Sequence, residues 1–162
     1  MKSLIDTLIR AAGIVALFGA IGLGANLFSS DGIPWVYVQA KTVDLSGAKV
    51  ELVDEKEARE HYGNGETVFV DARTRDDYDK SHVEGAVFLS PEDVEERFVS
   101  VRDLLPEDGR IILYCYGPEC DMAERVADFL GQLGYRNMMI MTAGYAAWKD
   151  AGYPVARSSR EE

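Results

Sequence analysis

Residues 110–121 read Arg110-Ile-Ile-Leu-Tyr-Cys115-Tyr116-Gly117-Pro118-Glu119-Cys120-Asp121. Ile111–Tyr114 has the length and composition of a buried strand, and Gly117-Pro118 interrupts it. Asp121-Met-Ala-Glu124 then opens a helical pattern with a D-x-x-E capping box, and the helix runs to Gly134. Cys115 therefore stands between a strand end and a helix start. Two readings of it follow. One is a nucleophilic thiol, because the unpaired N–H groups and positive dipole end of a helix favour thiolate, and ligands of open α/β sheets bind at strand carboxyl ends. The other is a buried structural cysteine, since free cysteine is among the most buried residue types.

The same alternation extends in both directions. Lys49–Leu52, Thr67–Asp71, Ala86–Leu89 and Met138–Met141 read as further short strands. Between them, Asp54-Glu-Lys-Glu57 is a capping box for a helix ending at Gly63-Asn-Gly65. Arg75–Lys80 is a short helix. Ser90-Pro91 supplies an N-cap and a first-turn proline for a helix to Asp103, and Tyr145–Asp150 is the last helix. Five apolar strands alternating with helices predict an α/β fold: a mainly parallel five-stranded sheet with helices on both faces.

Composition removes several classes of function. The net charge is −11, and no Lys/Arg cluster offers a phosphate-binding face, which argues against a nucleic-acid partner. Two cysteines do not make a disulfide-stapled scaffold. His61 and His82 lie in different segments, and no spacing supplies four zinc ligands, so no metal is expected; no cofactor is implied.

The N-terminal 30 residues differ in kind. Residues 11–30, AAGIVALFGAIGLGANLFSS, carry no charge. With Leu4, Ile5, Leu8 and Ile9 they make a run long enough to span a bilayer, about 20 apolar residues. A cleaved signal peptide is the competing reading, but Leu23-Gly24-Ala25 has leucine where a small residue belongs. Lys2 and Arg10 precede the run and Asp31 follows it, so the positive-inside rule places the rest of the chain outside the cytoplasmic membrane. The predicted organisation is a cytoplasmic tip and single transmembrane anchor over 1–30, a linker over 31–48, the α/β domain over 49–156 and a polar tail over 157–162. Residues 4–30 would contact membrane lipid.

Three stretches together resemble the rhodanese homology domain: VDARTRDDYDKSHVEGAVFL, LYCYGPECDMAERVADFLGQLGY and MTAGYAAWKDAGYPV. They lie in order across about residues 49–156. The resemblance implies a rhodanese-like fold and a sulfurtransferase in which sulfane sulfur travels as a cysteine persulfide at Cys115. It also implies a cradle made by the loop backbone of Tyr116, Gly117, Pro118, Glu119, Cys120 and Asp121. Asp71, Arg73 and His82 match signature positions as supporting residues, Arg73 facing a carboxylate such as Asp77 and His82 fixing its turn by hydrogen bonding. Trp148 reads as core. The partners implied are a small sulfur donor and a thiol acceptor.

This chain departs from the family at the loop. Many rhodaneses carry Arg or Lys there, whereas this loop carries Glu119 and Asp121, which would raise the Cys115 pKa and repel an anionic donor. The sixth residue after Cys115 is Asp121, not the arginine a cysteine phosphatase requires. Cys120 is the second departure. Two thiols five residues apart can meet disulfide geometry, and disulfides persist outside the cytoplasm. Cys120 thus resolves a persulfide, forms a redox couple with Cys115, or fills space under the helix start. Besides sulfur transfer, a thiol-disulfide redox protein and a non-catalytic binding module remain open.

Overall fold

The computed structural model describes residues 42–106 and 108–158, together with Gly13. Contacts divide the chain between Gln39 and Ala40, and the second unit is the one described here. The expected anchor at 4–30 lies, but for Gly13, outside the described residues. Among the described residues no helix is long and apolar enough to cross a membrane.

Among the described residues eight strands form, at Thr42–Leu45 (β1), Ala48–Val53 (β2), Thr67–Asp71 (β3), His82–Val83 (β4), Val87–Phe88 (β5), Arg110–Tyr114 (β6), Met138–Met141 (β7) and Val155–Ala156 (β8). Among the described residues five α-helices accompany them, at Glu55–Glu60 (α1), Arg75–Lys80 (α2), Val94–Val101 (α3), Met122–Gln132 (α4) and Gly144–Asp150 (α5). The main sheet has the order β1-β2-β7-β6-β3-β5. Its five members from β2 to β5 are parallel and are the five strands expected from sequence.

Two strand features depart from expectation. The sheet has six strands, because β1 joins β2 antiparallel, and β4 and β8 form a separate antiparallel pair. Residues 42–48, read as linker, are thus a strand, a hairpin turn and the first residue of β2. Ser46 (φ 48°) and Gly47 (φ 75°) both take positive φ, as a two-residue hairpin turn of the tightest type requires. β1 carries no apolar run because, on a sheet edge, it alternates between exposed and half-buried residues.

The central parallel strands β3, β6 and β7 are buried on both faces, and alternation along each strand divides the core in two. Val50, Val70, Ile111, Leu113, Met138 and Ile140 pack with Ala123, Val126, Ala127 and Leu130 of α4. Phe69, Ile112, Tyr114, Met139 and Met141 pack with Ala58 of α1 and Tyr145 and Trp148 of α5. Trp148, fully buried, is core as expected and donates through Nε1 to Pro154 O at 2.9 Å.

Helix starts show how far local signals reach. Asp54 accepts from the Lys56 and Glu57 amides at 2.9 and 2.8 Å while Glu57 accepts from the Asp54 amide, the reciprocal box the sequence predicts. The second box does not form. Asp121 has helical φ/ψ and its side chain makes no cap bond, because the preceding loop delivers it already turned rather than extended. The helix expected from Pro91 begins only at Val94. Ser90 is buried and its carbonyl accepts from the Asp93 amide in a turn, so the chain must leave the sheet edge before it can coil.

Candidate active site

The sheet register assembles the site. Asp71 pairs with Tyr114, and Tyr114 pairs with Met141, so the carboxyl ends of β3, β6 and β7 lie in one row. The segments leaving these strands therefore meet: Ala72-Arg73 after β3, Cys115-Tyr116 after β6, and Thr142-Ala143-Gly144 after β7. The Ala72 amide donates to Tyr114 O at 2.9 Å and the Tyr145 amide to Cys115 O at 2.8 Å.

Cys115 is buried at the start of the loop, and its Sγ is joined to that of Cys120, the two Cα atoms being 6.4 Å apart. That spacing lies inside the range a disulfide spans. Cys120 O lies 3.2 Å and Gly117 O 4.0 Å from Cys115 Sγ. In the paired form the sulfur carries no proton, so these are carbonyl contacts rather than hydrogen bonds. The Cys120 amide donates to Gly117 O at 3.1 Å, and Pro118 has no N–H. Two of the six positions named for the backbone cradle thus offer no free donor in this form. α4 begins directly after the loop, with its first amides uncapped by the Asp121 side chain. Glu119 and Asp121 are exposed, so solvent weakens their effect on the sulfur.

Beneath the loop lies a buried polar network. Asp71 and Arg73 form an ion pair, Arg73 Nη2 donating to Asp71 Oδ2 at 2.6 Å and Nε to Oδ1 at 3.0 Å. Arg73 therefore pairs with Asp71 rather than with the expected Asp77. It also donates to Ser81 O at 2.7 Å and stacks on the Tyr145 ring at 3.8 Å. Burial opposes its charge, and bonding to Asp71 together with the Asp71 charge raises its pKa. Tyr114 Oη donates to Asp71 Oδ2 at 2.8 Å and accepts from the Val83 amide at 3.0 Å. Burial pushes the Tyr114 hydroxyl well above the usual tyrosine range, keeping it neutral. Satisfied on all sides, this network supports the loop; it is not a source of free charge.

His82 stacks on Tyr78 with ring centroids 3.9 Å apart, and its Nδ1 is 2.7 Å from Tyr78 O. Both contacts tie His82 to the residue four positions before it. Asp77 belongs to another cluster: Tyr116 Oη donates to its Oδ2 at 2.6 Å, Thr74 Oγ1 donates to the same oxygen at 3.0 Å, and Lys80 Nζ is 3.0 Å from Oδ1. The Tyr116 bond first, then Lys80 and Thr74, lower its pKa to about 2.

Tyr114, Thr74, Ser81 and Gly144, and the side chain of Tyr116, whose backbone alone the resemblance placed in the cradle, carry site roles not read from the sequence. Of these, Gly144 had a signal, the Gly-x-x-x-Trp spacing to Trp148. It has φ 71°, and a Cβ there would lie 2.5 Å from Tyr116 C and Gly117 N. Only glycine lets the start of α5 approach the cysteine loop this closely.

This arrangement of strand ends, loop and helix matches a known family. The rhodanese-like domain family model covers residues 54–151, and the chain belongs to that family. It is 26% identical over 122 residues to the Escherichia coli protein YibN, covering 75% of this chain and 83% of YibN. It is 31% identical over 88 residues to the thiosulfate sulfurtransferase GlpE of Haemophilus influenzae, covering 54% of this chain and 78% of that one. The solution structure of a rhodanese-like domain from Anabaena sp. is similar at TM-score 0.53 and 26% identity, over 67% of this chain and 82% of that domain.

Proposed function

We propose that this chain is a sulfurtransferase that carries sulfane sulfur as a persulfide on Cys115. The observation that carries the reading is the placement of Cys115, at the carboxyl end of β6 and against the loop that enters α4. The uncapped amides of that helix favour a thiolate and its persulfide. The likeness to GlpE supports the same chemistry. Cys115 attacks the donor's sulfane sulfur, the donor leaves as sulfite or thiolate, and a thiol acceptor removes the sulfur. The supporting residues are Asp71 and Arg73, which hold the loop from below, and His82, which holds its turn. The test is labelling with a sulfane donor followed by peptide mass mapping. Sulfur on the Cys115 peptide in wild type, and none in Cys115→Ser, is the expected result. Transfer that survives Cys115→Ser overturns the reading.

The paired sulfurs favour a second reading, a thiol-disulfide redox protein using Cys115 and Cys120. It predicts redox activity that needs both thiols and no sulfur donor. With neither activity, the domain would serve as a binding module.

The same proposal includes location. An apolar run over residues 4–30, with Lys2 and Arg10 before it, supports one uncleaved helix in the cytoplasmic membrane, with the rhodanese-like domain on the extracytoplasmic side. Membrane lipid is then the partner of that segment.

A further inference from the structure

We propose that Cys120 is a catalytic residue: the internal acceptor that discharges the Cys115 persulfide as hydrosulfide and leaves the Cys115–Cys120 disulfide. The proposal rests on the sulfurtransferase reading above and gives that reading its second half-reaction.

The geometry selects which sulfur is attacked. Cys120 Sγ meets Cys115 Sγ, the inner sulfur of any persulfide formed there. Thiolate attack on the inner sulfur forms the Cys115–Cys120 bond, breaks the bond to the outer sulfur and expels that sulfur as hydrosulfide. The sulfane sulfur gains two electrons, the two cysteine sulfurs supply them, and no external oxidant takes part. Attack on the outer sulfur would instead move it to Cys120 and expel the Cys115 thiolate. A thiol tethered within the same loop also meets the persulfide at an effective concentration above that of thiols in solution.

The closed form explains how the loop holds this product. With the sulfurs joined, Gly117 O and Cys120 O face Cys115 Sγ. Carbonyl oxygens suit a neutral disulfide and would repel a persulfide anion. Turnover then requires a dithiol reductant, which takes the disulfide by exchange and returns both loop thiols while becoming a disulfide itself. The reaction class that must succeed this one is dithiol-disulfide exchange, and the product released is hydrosulfide.

The test uses the reduced full-length chain in detergent, freed of reductant and held without oxygen, with one equivalent of cysteine persulfide. Wild type is expected to release one equivalent of hydrosulfide and to lose the mass of two hydrogens, with no sulfur retained. Cys120→Ser and Cys120→Ala are expected to retain the added sulfur on the Cys115 peptide, to release hydrosulfide only slowly to the one equivalent of cysteine that the donor leaves behind, and to release it quickly once thiol is added in excess. Wild type that keeps the added sulfur as stably as Cys120→Ala overturns this proposal and leaves the sulfurtransferase reading intact. Sulfur mapped to Cys120 in wild type overturns inner-sulfur attack. If neither Cys120 variant takes up sulfur, the persulfide reading of Cys115 fails, and this proposal with it.

Discussion

Tyr116 Oη donates to Asp77 Oδ2 across 2.6 Å, tying the residue after Cys115 to helix α2. The bond is the largest cause holding the Asp77 pKa near 2. A carboxylate depressed in the folded state stabilises the fold above its unfolded pKa, about 3.9, and loses that contribution as pH falls through its folded pKa. Tyr116→Phe should therefore flatten the loss of stability between about pH 4 and about pH 2. Asp77 is a third exposed, so the effect should stay below about 1 kcal/mol. Urea midpoints across that window check it. An unchanged pH slope would show that Tyr116 does not hold the carboxylate.

Gly144 predicts a larger effect. Its φ is positive, and a Cβ at this position would come within 2.5 Å of the Tyr116 and Gly117 backbone, which leaves no soft neighbour to yield. Gly144→Ala should cost about 2–4 kcal/mol from left-handed strain and overpacking together. It should also slow sulfur uptake by displacing the loop. A midpoint shift within about 0.5 kcal/mol of wild type would mean that the loop and α5 separate freely.

Glu119 bears on donor choice. With Glu119 and Asp121 in the loop, and Arg73 already paired with Asp71, an anionic donor meets no free loop cation. Thiosulfate should be used poorly, and organic persulfides better. Glu119→Arg should lower the thiosulfate KM by about 3–10-fold at low salt, fading as ionic strength rises because the side chain is exposed. Efficient thiosulfate use by wild type, unchanged in Glu119→Arg, would refute the electrostatic argument.

Topology is open to a direct test. A reporter joined after Glu162 should be active only as the type that works outside the cytoplasm, and the mature chain should keep its N-terminus. An active cytoplasmic reporter would reverse the orientation. A mature N-terminus near Asn26 would replace the anchor with a cleaved leader.

The parallel core was readable from sequence because its strands are unbroken apolar runs. Burial on both faces makes Ile111–Tyr114 and Met138–Met141 hydrophobic at every position. Cys115 was readable for a related reason, since a strand end leading into Gly-Pro and a helical pattern fixes its place locally. The Asp54 cap and the role of Trp148 were equally local matters. What the sequence could not decide depends on partners far along the chain. β1 is a strand because β2 supplies hydrogen bonds to an edge with no apolar pattern. Asp121 does not cap, because the loop's turn sets its backbone before the side chain can act. Arg73 chooses Asp71 over Asp77 because Asp71 is buried beside it, with Tyr114 completing its bonds, while Tyr116 and Lys80 claim Asp77. The contact of Cys115 and Cys120 was a possibility at a spacing of five. Only the folded loop, turned by the bond from the Cys120 amide to Gly117 O and backed by Gly144, brings the two sulfurs together.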